Sequence, residues 1–294
     1  MVKTTLLALV LGLGLFGCNS KAKCLEQCKK QADECAKKTG DALQMCQEAV
    51  KTQVVGPLRL RARVHAGEAR LARAHTQRKL KFTLPGPMTI ADTVADRHYG
   101  DRRALAMAFA ELLNEEARGL EADGVDIVQF DEPAFNVYFD EVRDWGVAAL
   151  ERARKGLKCK TAVHICYGYG IEANIKWKES LGGQWRQYEN TFPLLAKSSI
   201  DQVSLECANS HVPIDLIGLL QGKDVLVGAI DVATSRVETP EDVAKVIRAA
   251  LKHVPKERLY PCTNCGMVPL TREVAAGKLA ALGAGAALVR AELV

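Results

Sequence analysis

From Lys81 to Leu282, short runs of apolar and β-branched residues alternate with helical stretches, and most of the runs end in a polar side chain. That alternation constrains the fold more than any other feature. Strands joined by crossovers of a dozen residues or more lie parallel, whereas a hairpin needs only a few linking residues. The runs are Lys81–Leu84, Val125–Phe130, Thr161–Cys166, Ile200–Leu205, Val225–Ile230 and Leu259–Pro261. Helices are expected over Asp101–Glu121, Val137–Lys155, Tyr188–Ala196, Thr239–His253 and Arg272–Leu282, the last terminated by Gly283. Thr239 suits an N-cap and Pro240 the first helical position. The fold class is therefore α/β, of (β/α)8 TIM-barrel type, with six strand–helix units in place of eight. In such a fold the chemistry sits at the C-terminal ends of the strands.

Those ends carry metal-binding side chains. His164 and Cys166 stand two residues apart on one strand, so an imidazole and a thiol project from the same face. Glu206 closes the next strand and Cys265 follows the last one, in Cys262-Thr-Asn-Cys265. Nitrogen, thiolate sulfur and carboxylate oxygen together suit a tetrahedral zinc ion, and a catalytic site keeps one position exchangeable. Taken singly, each residue would more often be a satisfied core side chain. Four of them at strand ends point to Zn2+ as cofactor.

Ahead of this region, residues 1–17 have an early lysine and then an apolar run from Leu6 to Phe16, the pattern of a signal peptide. Leu15-Phe-Gly-Cys18 resembles a lipoprotein cleavage box, which makes Cys18 a lipidation site and implies membrane attachment through it. Residues 18–52 form a Cys-rich helical segment in which Cys24, Cys28, Cys35 and Cys46 allow three disulfide connectivities. The barrel is expected over 53–294. The basic run from Arg59 to Lys81 is read as a solvated face. A net charge of +5 with only 5% aromatic residues argues against a nucleic-acid partner. No glycine-rich dinucleotide fingerprint follows any strand.

With these segments placed, the chain from about Val54 to Arg290 resembles the catalytic barrel of the cobalamin-independent methionine synthase family, most of all its short single-barrel members. The stretches that carry the resemblance are Leu84-Pro-Gly-Pro-Met-Thr-Ile90, Gln129-Phe-Asp-Glu-Pro-Ala134, His164-Ile-Cys-Tyr167, Ser204-Leu-Glu206 and Asn264-Cys-Gly266. The resemblance implies that His164, Cys166, Glu206 and Cys265 are the zinc ligands. It implies that Asp131 holds the amino group of homocysteine and that Glu132 helps to orient it. Cys262 has no counterpart among the family's ligands. The implied activity is zinc-dependent methyl transfer to the homocysteine thiol, giving methionine. A thiol with a pKa of about 8.5 is a weak nucleophile until a metal removes its proton.

Three departures from the family pattern bear on this. The family barrel begins with two further strands, which carry an Ile-Gly-Ser segment and a glutamate near the substrate; the leader stands in their place. Ala233 occupies the position of the proton-donating histidine of folate-using relatives, and Thr93 that of their pterin-packing tryptophan. The methyl donor is thus methyltetrahydrofolate or, as in some short members, another donor or partner protein. Two other classes compete with this activity. One is a catalytically inactive, lipid-anchored binding protein; the other is a relative of uroporphyrinogen decarboxylase, which needs no zinc quartet. The leader implies export as a membrane-anchored lipoprotein, while thiolate ligands and methionine synthesis belong to the cytoplasm. A chimeric reading frame would reconcile the leader, the missing strands and the two cysteine populations.

Overall fold

The structure, a computed structural model, describes residues 52–168 and 177–294. The signal peptide, the Cys18 lipidation site and nearly all of the Cys-rich segment lie outside the described residues. Two short strands, β1 (Gln53–Val54) and β3 (Ala95–Asp96), pair with each other. The remaining six form one parallel sheet: β2 (Lys81–Pro85), β4 (Ile127–Asp131), β5 (Lys160–Ile165), β6 (Gln202–Glu206), β7 (Asp224–Ile230) and β8 (Leu259–Thr263), hydrogen-bonded in chain order. No strand pairs β2 to β8 among the described residues, so the barrel is incomplete and both edges are open.

Register sorts the side chains onto two faces. Paired residues of a parallel ladder point the same way, and successive residues point opposite ways. One row runs Leu84, Phe130, Val163, Val203, Val225, and every member is buried. This apolar face packs under the helices and makes the core. The opposite face carries Pro85, Asp131, His164 and Ser204 in one row, with Glu206, Gly228 and Cys262 a step nearer the strand ends. A polar face is tolerable only where the sheet curls around it, and the curl is evident. Asp131 of β4 interacts electrostatically with Cys265, which follows β8, across three intervening strands.

The helices largely follow the sequence. α1 spans Ala66–Ala74 and α2 spans Pro87–Thr93. α3 (Arg102–Ala122) is capped by Asp101, whose carboxylate accepts from Arg103 and Ala104 N–H. The expected helix over Val137–Lys155 is instead three pieces: α4 (Ala134–Val137), α5 (Phe139–Val142) and α6 (Gly146–Arg154). Tyr138 and Trp145 leave the helical region at the breaks, and Trp145, 7% exposed, turns its large ring into the core. α7 (Tyr188–Lys197) is as expected. α8 (Pro240–Ala250) opens on a Thr239–Asp242 capping box.

α9 (Arg272–Glu292) passes straight through Gly283, correcting the expected stop. Its neighbour Gly285 is a packing residue: a Cβ there would lie 2.6 Å from Pro240 O and from Val243 Cβ, so the missing side chain lets α8 and α9 close together. The basic run is also less solvated than expected. Arg63 pairs with Glu116 at 3.2 Å and Asp123 at 3.0 Å, which fastens the segment before α1 onto α3, and Arg73 pairs with Asp126.

Candidate metal centre

His164 lies near the end of β5, Cys166 just beyond it, and Cys265 in the turn after β8. A ring nitrogen of His164 and the two sulfurs lie within 4.8 Å of one another. The sulfurs are 3.9 Å apart. Two thiolates on one zinc at about 2.3 Å, separated by a tetrahedral angle, would stand roughly 3.8 Å apart, so the observed spacing fits the ion. The imidazole fits it as well. Nδ1 is 2.9 Å from Ser204 Oγ, while the enclosed Nε2 has no hydrogen-bond partner among the described residues. A buried nitrogen without a partner costs free energy unless something fills the place.

The electrostatics agree. The Cys166 thiol, and after it the His164 ring, hold Cys265 well below the ordinary thiol range against the effect of burial. Cys166 is pushed up by the same contact and by burial. The two sulfurs thus differ in how readily they lose a proton, and a metal requires both as thiolates.

Glu206, the fourth expected ligand, ends β6 and is 1% exposed. It does not belong to the 4.8 Å group, which comprises His164, Cys166 and Cys265. Its Oε1 accepts the Tyr167 N–H, and it acts electrostatically on both His164 and Cys166. Asp131 faces the same concavity, directly opposite His164 in register. Gln129 Nε2 donates to its Oδ1 at 2.8 Å, and burial raises its pKa. Glu132 is used differently. Its oxygens accept the Met88 and Thr89 N–H groups at 3.0 and 2.7 Å and the Thr89 hydroxyl, so it caps the N-terminus of α2. Gly86 makes that possible, since a Cβ there would meet Glu132 Oε2 at 2.2 Å.

Cys207 and Cys262 stay outside the group of three. At the positions that differ from folate-using relatives, Ala233 N–H donates to Asp231 Oδ1 and the Thr93 hydroxyl is turned onto Ile90 O.

Two supporting residues escape the reading of strand ends. Asn264, 1% exposed, accepts the N–H groups of Cys207 and Ala208 at Oδ1 and donates to Ala208 O, tying the Cys265 turn to the end of β6. It reaches across β7 because Gly228 has no side chain: a Cβ there would lie 2.3 Å from Asn264 Oδ1. The other is Ser204. An isolated glycine inside an apolar strand is the one sequence sign of such a close approach.

A parallel α/β sheet of barrel type, curled around one imidazole and two sulfur side chains, defines the fold class and a candidate metal site, and comparison with known proteins narrows the class. A family model described as the cobalamin-independent synthase catalytic domain matches residues 25–287. The chain belongs to that family. It is 33% identical over 245 residues to the methionine synthase of Thermococcus kodakarensis, covering 83% of this chain and 67% of the relative. With the methionine synthase of Sulfurisphaera tokodaii it shares 32% identity, over 73% of this chain but only 58% of the relative. A solved B12-independent methionine synthase from Shewanella sp. W3-18-1, in complex with selenomethionine, superimposes with a TM-score of 0.79 at 61% identity. That match covers 82% of this chain and 71% of the Shewanella chain.

Proposed function

We propose that the protein transfers a methyl group to the thiol of homocysteine, giving methionine, with zinc held by His164, Cys166 and Cys265 and with Glu206 as the fourth side chain. The observation that carries this reading is the pair of sulfurs 3.9 Å apart, with a ring nitrogen of the buried His164 within 4.8 Å of both. Zinc bound there would supply a positive centre that keeps an incoming thiol deprotonated near neutral pH. Asp131, opposite His164 in register and held at Oδ1 by Gln129, receives the substrate ammonium group. The substrate sulfur displaces the donor in line from the methyl carbon, so a carbon–sulfur bond forms and the electron pair of the broken bond leaves with the donor. The selenomethionine in the Shewanella relative, an analogue of the product, supports the choice of substrate.

The donor is a compound or protein other than methyltetrahydrofolate. Ala233 has no proton to give, and Thr93 offers no aromatic face to a pterin. The test is methionine formation by the zinc-loaded protein from homocysteine with methyltetrahydrofolate, methylcobalamin and a methylsulfonium compound in turn. Turnover with a donor other than folate is expected. Turnover with folate alone contradicts the donor assignment, and none with any donor favours a second reading. That second reading is a binding protein without turnover, and the two sheet edges left open among the described residues speak for it.

A further inference from the structure

The ligand group leaves two side chains of the polar face without a role; they touch each other, and one of them touches the histidine. Ser204, 3% exposed, holds its Oγ 2.9 Å from His164 Nδ1 and 3.9 Å from Cys262 Sγ. Strand register builds the contact, since Ser204 pairs with His164 across β5 and β6 and so shares its face and height. Cys262 pairs with Gly228 on the intervening strand.

A hydroxyl between an imidazole nitrogen and a thiol can be arranged in two ways. If Ser204 donates to Nδ1, the ring proton moves to Nε2 and occupies the lone pair that a metal would need. If Nδ1–H donates to Ser204, the hydroxyl proton turns to the Cys262 sulfur and Nε2 keeps its lone pair. Only the second arrangement gives the hydroxyl both of its neighbours and leaves Nε2 able to bind a metal. The orientation of a ligating histidine is commonly set in this way through its other nitrogen.

We propose that Ser204, itself oriented by Cys262, is the positioning residue that fixes His164 in its Nδ1–H form and presents Nε2 to the metal. The proposal rests on the zinc reading given above. It gives Cys262, the thiol left over from the ligand set, a place in the centre as an acceptor rather than a ligand.

The test is zinc affinity of the full chain, measured by competition with a chromophoric chelator, for the wild type, Ser204→Ala, Ser204→Thr and Cys262→Ala. Thermal unfolding of each metal-free protein serves as the control for a merely structural effect. Ser204→Ala should bind zinc about 10- to 100-fold more weakly, with the metal-free unfolding temperature little changed. Ser204→Thr, which keeps the hydroxyl, should return the affinity towards that of the wild type, and Cys262→Ala should weaken it in the same direction by less. Wild-type affinity in Ser204→Ala overturns the proposal, and wild-type affinity in Cys262→Ala removes the cysteine from it. A wild-type chain that binds no zinc overturns the metal reading itself, and this inference with it.

Discussion

Cys166 and Cys265 come from strands separated by two others, yet their sulfurs are 3.9 Å apart, and the local chemistry turns on that one distance. Replacing either with serine removes a soft, readily ionised ligand. The expected result is zinc binding weakened by more than about hundredfold, beyond what loss of a supporting partner costs. Cys207→Ser should leave it unchanged, because Cys207 lies outside the group; the chelator competition distinguishes the two. Glu132 gives a pH prediction. Burial raises its pKa from 4.5 to about 7 despite three hydrogen bonds from α2. Between those pH values the folded state holds a proton that the unfolded state has released, so stability from this group is full below about pH 4.5. It falls as pH rises towards 7, by about 3 kcal/mol at most. Glu132→Gln should flatten that part of the stability–pH curve in urea titrations; an unaltered slope would contradict the assignment. Two of the three candidate ligands are legible in the sequence because strand alternation alone puts 164 and 166 on one face. Ser204 and Asn264 are not legible in that way, because their roles depend on which residue the neighbouring strand sets beside them.

Among the elements, glycines decide how closely neighbours approach. Gly86→Ala would push a methyl group against Glu132 and Asp131 O, displacing α2 from the strand end that carries both carboxylates. Overpacking of this kind costs about 1–3 kcal/mol and should lower the unfolding midpoint by a corresponding amount. A second element-scale device is the ion pair of Lys278 on α9 with Glu238, 3.0 Å long with the lysine fully buried. Glu238 also accepts the Asp231 N–H, so the pair anchors the end of β7. Lys278→Ala should cost about 3–5 kcal/mol, because it leaves a buried carboxylate without its partner. A change under about 1 kcal/mol would contradict this account. Helix caps are plain in the sequence: Thr239 and Asp101 stand where capping chemistry demands them. The breaks at Tyr138 and Trp145 are not, since a core that draws in an aromatic ring overrides helical periodicity. Gly283 misleads for a related reason, because glycine both ends helices and admits close helix packing.

For the molecule as a whole, the open sheet sets the terms. β8 is an edge strand, and the turn after it supplies one of the proposed ligands. An apolar cavity of about 270 Å³, lined by Leu60, Leu84, Ile90, Val94 and Phe109 among others, opens beside β2 near the other edge. An ion bridging β5 and the β8 turn would tie the loose edge to the centre of the sheet. Zinc at about a thousandfold excess over its dissociation constant should therefore stabilise the fold by about 4 kcal/mol. Slowed amide hydrogen exchange should be concentrated in β8 and the turn after it, and uniform slowing, or none, would count against the bridge. X-ray absorption at the zinc edge of the purified protein shows whether one zinc is gripped by two sulfurs and an imidazole. Two sulfur neighbours at about 2.3 Å and nitrogen or oxygen neighbours at about 2.0–2.2 Å are expected. A shell of nitrogen and oxygen alone, or protein that retains no zinc, would contradict that ligation.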